Sequence, residues 1–166
     1  GVVRLLDEGR EGGHGYLVME LIQGAPFPGV ALPVAWRDIA ELTRSMLEIL
    51  ARVHAAGVVH QDIKPSNVLV HEGHPTLLDF GVAILPGTER FTWAGVVVGS
   101  PDYVAPEQAA GEDVDHRIDI WAFSIVLFEV LTGRRPFAGD TIGQLLDAIL
   151  DQPTPSITTL RVHDDD

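Results

Sequence analysis

His60-Gln61-Asp62-Ile63-Lys64-Pro65-Ser66-Asn67 is followed, after a short apolar segment and a turn, by Asp79-Phe80-Gly81. In an irregular loop, side chains two and five residues apart converge on a single concave point, which is how Asp62, Lys64 and Asn67 are spaced. Val58-Val59 before the run and Val68-Leu69-Val70 after it are β-branched segments of the kind that pin a loop at both ends. Lys64 is the only lysine in the chain, against ten arginines, so its place inside the run is poorly explained by background frequency.

Composition bounds the problem loosely. At 166 residues the chain suits one domain or part of one, burying roughly 70% of its unfolded surface. With 46% hydrophobic and 21% charged residues it is globular rather than disordered or fibrous. There is no cysteine, which removes disulfides and thiolate metal sites. A net charge of -13 argues against nucleic-acid binding, which needs clustered Lys and Arg. No signal peptide is visible, and no apolar run reaches the roughly 18 residues of a membrane span. The chain opens on Gly1 without a methionine and reads as a fragment.

Periodicity organises the remainder. Val2 to Leu6 and Tyr16 to Leu21 read as two strands joined by a Gly- and charge-rich turn, Asp7 to Gly15. Gln23 to Gly29 fits neither helix nor strand and reads as a connector. From about Ala35 to Ala56, the residues Ile39, Leu42, Met46, Ile49, Leu50 and Val53 recur every three or four positions, predicting an amphipathic helix that Gly57 caps. Residues 81–105 have no sustained period and read as a long functional loop. Arg117 to Leu131 is apolar on nearly every face and reads as a buried helix, in which Asp119 must find donors. A last helix is expected from Asp140 to Leu150, then a Pro-interrupted tail ending in three aspartates.

The ordered series resembles the Hanks-type (eukaryotic-like) serine/threonine protein kinases. It comprises Leu17-Val18-Met19-Glu20, the run from His60 to Asn67, Asp79-Phe80-Gly81, Gly99-Ser100-Pro101-x-Tyr103-x-Ala105-Pro106-Glu107, Asp119-x-Trp121 and Gly133-Arg134-Arg135-Pro136-Phe137. The Gln108 that follows Glu107 is similar to bacterial members. The resemblance implies an α+β fold, with a mostly helical C-terminal lobe and a remnant β-hairpin of the N-terminal lobe. Residues 1–22 would be that remnant with its hinge. Residues 23–150 would be the C-terminal lobe, with the catalytic loop at 60–67 and the activation segment at 79–107, and 151–166 an incomplete tail.

By the same resemblance, the γ-phosphoryl group of ATP passes to Ser/Thr hydroxyls of a protein substrate, with Mg2+ as cofactor. Asp62 would orient and deprotonate the hydroxyl, and Lys64 would face the transferring phosphate. Asn67 and Asp79 would hold magnesium. The backbone of Glu20 and Ile22 would bind the adenine edge, with Met19 as gatekeeper and Leu69 beneath the ring. Leu5, His60 and Phe80 would stack as a regulatory core, Gly81 would complete the turn after Phe80, and Ser100 would shape the acceptor pocket. Asp119 would brace the catalytic loop. Cytoplasmic exposure is implied because ATP is there, and anchoring of a longer parent protein stays compatible with it.

Departures from the family pattern carry their own expectations. The glycine-rich loop, the third-strand lysine and its glutamate partner are not in the chain, which begins at what resembles the fourth strand. The isolated chain is therefore expected to be slow or inactive. Glu107 is expected to lack the arginine that pairs with it in the family. Gln61 replaces an arginine that clamps a phosphorylated loop by a charge-assisted bond, so control through Thr88 or Thr92 is expected to be weak. Ser124 stands where glycine is common, and the stretch after the hinge is short of a helix. A non-catalytic kinase-fold binding module or an inactive fragment is the alternative, and a small-molecule phosphotransferase is a third reading. His71 and His74 are explained by a turn between two strands, and His54 by packing and hydrogen bonding.

Overall fold

The computed structural model describes residues 1–80 and 100–157. Gly81, Thr88, Thr92, the centre of the expected activation segment and the acidic tail lie outside them. The fold is α+β, with two small antiparallel sheets and four α-helices among the described residues.

The first sheet is a hairpin of β1 (Leu5–Glu11) and β2 (His14–Met19). Its strands are longer, and its turn far tighter, than the expected turn from Asp7 to Gly15. Gly12 and Gly13 adopt φ of 57° and 86°, so Glu11 pairs directly with His14 across a two-residue reversal. Consecutive left-handed residues give the twist that two-residue hairpins need. Asp7, Glu8, Arg10 and Glu11 are tolerated in β1 because the hairpin is exposed along almost its whole length. Val2 and Val3 are not part of it. Val2 instead bridges Leu77, and the Val3 N–H donates to the Leu77 carbonyl at 2.9 Å.

The second sheet has the order β3 (Ala25–Pro26), β4 (Val68–His71), β5 (His74–Leu77). Part of the expected connector is thus a short edge strand, a position where proline is tolerated because an edge leaves donors unpaired. Immediately after it, Phe27 is buried, and its N–H donates to the Val68 carbonyl at 2.8 Å. His71 and His74 face each other across the β4–β5 turn. Val58 and Val59 form no strand beyond a single bridge at Val59. No helix lies between β2 and Trp36, as the short stretch after the hinge suggested.

Helix α1 (Trp36–Ala55) buries Ile39, Thr43, Met46, Ile49, Leu50 and Val53 along one stripe, and Gly57 follows its C-cap at φ 77°. Burying each large aliphatic side chain contributes about 1.5–3 kcal/mol, which is why the helix holds its length without a side-chain N-cap. After the short α2 (Pro106–Ala109) comes α3 (Arg117–Thr132), buried at nine positions including Ile118, Phe123, Val126 and Val130. Phe123 meets Phe27 edge-on with centroids 5.7 Å apart, joining α3 to the sheet side of the core. Helix α4 (Ile142–Asp151) is capped by Thr141, whose hydroxyl accepts the Gln144 N–H at 3.2 Å, while the Asp140 N–H donates to the Gln144 side chain. Among the described residues no helix is long and apolar enough to cross a membrane.

Candidate active site

The run from His60 to Asn67 leaves α1 and enters β4 through a 3-10 turn, Pro65–Asn67. Its backbone is held from below by one carboxylate. Asp119, fully buried in the first turn of α3, accepts the His60 N–H at 2.9 Å on Oδ2 and the Gln61 N–H at 2.8 Å on Oδ1. His54 of α1 brings Nε2 to the same Oδ2 at 2.8 Å. Asp119 thus has the donors that its burial demands. The backbone so held is unusual: Gln61 has φ of 70°, a left-handed conformation that costs a non-glycine residue about 1–3 kcal/mol.

Above this base the polar side chains converge. Lys64 Nζ lies 2.6 Å from Asp62 Oδ2 and 3.0 Å from Ser100 Oγ. Asn67 Nδ2 donates to Asp62 Oδ2 at 2.9 Å and to the Asp62 carbonyl at 2.8 Å. The Ser100 N–H reaches Asp62 Oδ1 at 3.2 Å. Burial pushes the Asp62 carboxyl up, but Lys64, Asn67 and the Ser100 amide together outweigh it and hold the carboxyl below its ordinary value of 3.8. Because Nδ2 of Asn67 faces two acceptors, the amide orientation is settled and Oδ1 points elsewhere.

The segment after β5 docks on both ends of this loop. The Leu78 N–H donates to the Asn67 carbonyl at 2.8 Å, and the Leu78 carbonyl meets His60 Nε2 at 2.8 Å. His60 Nδ1 lies in turn 3.3 Å from the Asp62 N–H, so the ring bridges the loop backbone and the segment after β5. Phe80 lies against the His60 ring with centroids 4.7 Å apart. Asp79, between these two anchors, is exposed and left-handed at φ 55°. A carboxylate on Asp79 and an amide oxygen on Asn67 are hard oxygen donors of the kind Mg2+ takes, and the Leu78 N–H bond to the Asn67 carbonyl ties their two segments together, so the residue types fit the expected group.

Other expected positions are more dispersed. Met19 ends β2 and is 45% exposed; Glu20 and Ile22 follow it, and the Glu20 N–H donates to the Arg4 carbonyl at 3.0 Å. The linker then passes Leu69 closely: a Cβ on Gly24 would stand 2.8 Å from the Val70 carbonyl oxygen and 3.3 Å from Leu69 Cβ. The expected stack holds for His60 and Phe80, while Leu5 is 49% exposed at the start of β1. Glu107 sits in α2, and among the described residues no hydrogen bond reaches its carboxylate, although Arg117 feels its charge. Ser124 returns its hydroxyl to the Ile120 carbonyl at 2.7 Å.

Sequence reasoning passed over one polar group beside the site. The Tyr103 hydroxyl donates to Glu129 Oε2 at 2.9 Å, and Arg135 lies against both Glu129 and Asp102. A signal was present: Glu129 is, with Asp119, one of two carboxylates in the mostly apolar α3, and a carboxylate so placed must find donors.

Comparison with known proteins agrees with this geometry. The protein kinase domain family matches residues 1–165. The chain is 34% identical over 158 residues to the serine/threonine-protein kinase PknL of Mycobacterium tuberculosis, covering 93% of the chain and 40% of that protein. It is 38% identical over 155 residues to the serine/threonine-protein kinase pkn2 of Myxococcus xanthus, covering 83% and 18%. It is 35% identical over 151 residues to the serine/threonine-protein kinase PknA of Mycobacterium tuberculosis, covering 89% and 35%. The chain spans two fifths or less of the length of these relatives. With the motifs in order, the loop geometry in place and nearly every residue matched, the chain belongs to the protein kinase domain family.

Proposed function

We propose that the protein is a serine/threonine protein kinase that transfers the γ-phosphoryl group of ATP to hydroxyls of a protein substrate. The observation that carries this reading is the convergence of Asp62, Lys64, Asn67 and Ser100 in one hydrogen-bonded cluster, with residues 78–80 docked on the same loop. Asp62 orients the acceptor hydroxyl and takes its proton. Among the described residues its Oδ2 is engaged by Lys64 and Asn67, whereas Oδ1 carries the longer bond from Ser100 and keeps a lone pair for the hydroxyl.

Lys64 offers an ammonium to the charge on the transferring group, and Ser100 holds that ammonium at the mouth of the site. Asn67 Oδ1 and the Asp79 carboxylate are the magnesium ligands in this reading. Magnesium neutralises and orients the phosphates when bound. The backbone of Glu20 and Ile22 binds the adenine edge, with Met19 and Leu69 on its apolar surroundings. The partners are therefore ATP and a protein, and the activity is cytosolic.

Phosphate transfer from γ-labelled ATP to a Ser/Thr peptide, measured in the full protein, tests the reading. Asp62→Asn is expected to lower kcat by on the order of 10²–10⁴, the usual contribution of a positioned general base. Asp79→Ala is expected to abolish magnesium-dependent nucleotide binding by calorimetry. Transfer that is unaffected by Asp62→Asn would overturn the assignment, and nucleotide binding with no transfer in the wild type would favour a non-catalytic binding module.

A further inference from the structure

We propose that Arg135 is a positioning residue that clamps the segment presenting the acceptor hydroxyl onto α3; the inference rests on the kinase reading above. Ser100 touches both Asp62 and Lys64, so its placement sets the geometry around the base. It runs directly into the 3-10 turn Pro101–Tyr103, whose own backbone bonds close on the Ser100 and Pro101 carbonyls. The far side of this turn carries two polar side chains. Tyr103 donates to Glu129 of α3 at 2.9 Å, and Asp102 pairs with Arg135 Nη1. The same guanidinium stands 3.7 Å from Glu129 Oε1. One cation therefore lies between a carboxylate on the turn and a carboxylate on the helix.

Without that cation the two carboxylates repel across Tyr103. The phenol registers all three charges: burial, Glu129 and Asp102 push its pKa up, and Arg135 pulls it down. The arm bearing Arg135 is itself fixed at both ends. Before it, Gly133 turns at φ 73° and the Thr132 hydroxyl, 2.7 Å from the Phe128 carbonyl, accepts the Arg134 N–H at 3.3 Å. After it, Phe137 is buried and stacks on Trp121 with centroids 6.1 Å apart. Each ion pair, being partly exposed, contributes little alone; the effect is one of placement, and small misplacements near a reacting centre are costly.

The test uses the full protein with Arg135→Met, Arg135→Lys, Asp102→Asn and the double variant Arg135→Met with Asp102→Asn. Arg135→Met is expected to lower kcat/KM for the protein substrate about 10-fold, with KM for ATP unchanged and faster amide exchange confined to residues 100–104. Lysine is expected to restore part of the loss. The double variant is expected to fall short of the product of the single effects, because Asp102→Asn removes the charge left unpaired. Unchanged exchange at 100–104 in Arg135→Met would overturn the proposal, as would exchange that rises equally in α1 and α3. Should Arg135→Met fail to fold, Asp102→Asn reads the same contact by both measurements. Should the wild type transfer no phosphate, the kinase reading fails while the exchange measurement still decides the clamp.

Discussion

Asp62 and Asp119 are both carboxylates in the same few ångströms of structure, yet their surroundings ask different things of them. Asp62 is held below its ordinary 3.8 by Lys64, Asn67 and the Ser100 amide against the opposing effect of burial. A depressed folded-state value contributes stability that is present above that ordinary value and lost as pH falls through the lower folded one. Asp62 is thus expected to stay ionised across neutral and mildly acidic pH, so under the proposed kinase reading a loss of transfer in that range would come from another group. Carboxyl-carbon NMR titration checks this, and Lys64→Met is expected to move the Asp62 midpoint upward because burial is then less opposed. Asp119 has no solvent to fall back on. Asp119→Ala leaves two backbone N–H groups and the His54 ring without their acceptor, and is expected to cost about 3–5 kcal/mol in urea unfolding. A loss under 1 kcal/mol would mean water replaces the carboxylate, by the net worth of an ordinary hydrogen bond.

At the scale of elements, α1 and α3 were legible because burial writes itself directly into residue spacing. The stripe from Ile39 to Val53 and the near-continuous apolar run of α3 have no other stable use. The hairpin was harder to read. Its strand residues Asp7, Glu8, Arg10 and Glu11 look like a turn because nothing covers them, and alternation between polar and apolar side chains is informative only where one face is buried. Ala25–Pro26 escaped notice for a related reason: a two-residue edge strand is set by its partner β4, which local composition cannot reveal. Helix α1 also carries a local conflict. Thr43 is 3% exposed, and its hydroxyl finds no partner among the described residues. Thr43→Val keeps the shape and removes that group, so thermal or urea unfolding is expected to show no loss and up to about 1 kcal/mol of gain. A loss above that would place an unseen partner at the hydroxyl.

For the molecule as a whole, the two sheets differ in how they are supported. The β3-β4-β5 sheet sends Phe27, Val68 and Leu77 into the main core with Met46, Leu50 and Phe123. In β1 and β2, Leu5, Leu6, Tyr16, Leu17, Val18 and Met19 are each at least 41% exposed. Hairpins that pack only on themselves are marginal in water. Amides of residues 5–19 in this chain are expected to exchange well before those of α1 and α3 in hydrogen-exchange mass spectrometry, and equal protection would contradict the division. The convergence of Asp62, Lys64 and Asn67 was legible because all three lie within one short run of local sequence. The Arg135 arm was not, because it reaches the loop at a distance, pairing with Asp102 and with the Glu129 that Tyr103 bonds, contacts that depend on how α3 ends.

The bonds from Asp119 to the His60 and Gln61 amides join positions 59 and 58 residues apart. Helix α1 can form from its own neighbours, but the loop from His60 to Asn67 cannot take its strained shape until a much later part of the chain has arrived and packed. Closing so long a loop is paid in entropy before any contact returns it. Native order in this loop should therefore ripen late in refolding, lagging the helical signal, and a nascent chain released before residue 119 would carry Asp62, Lys64 and Asn67 without the carboxylate that fixes their backbone.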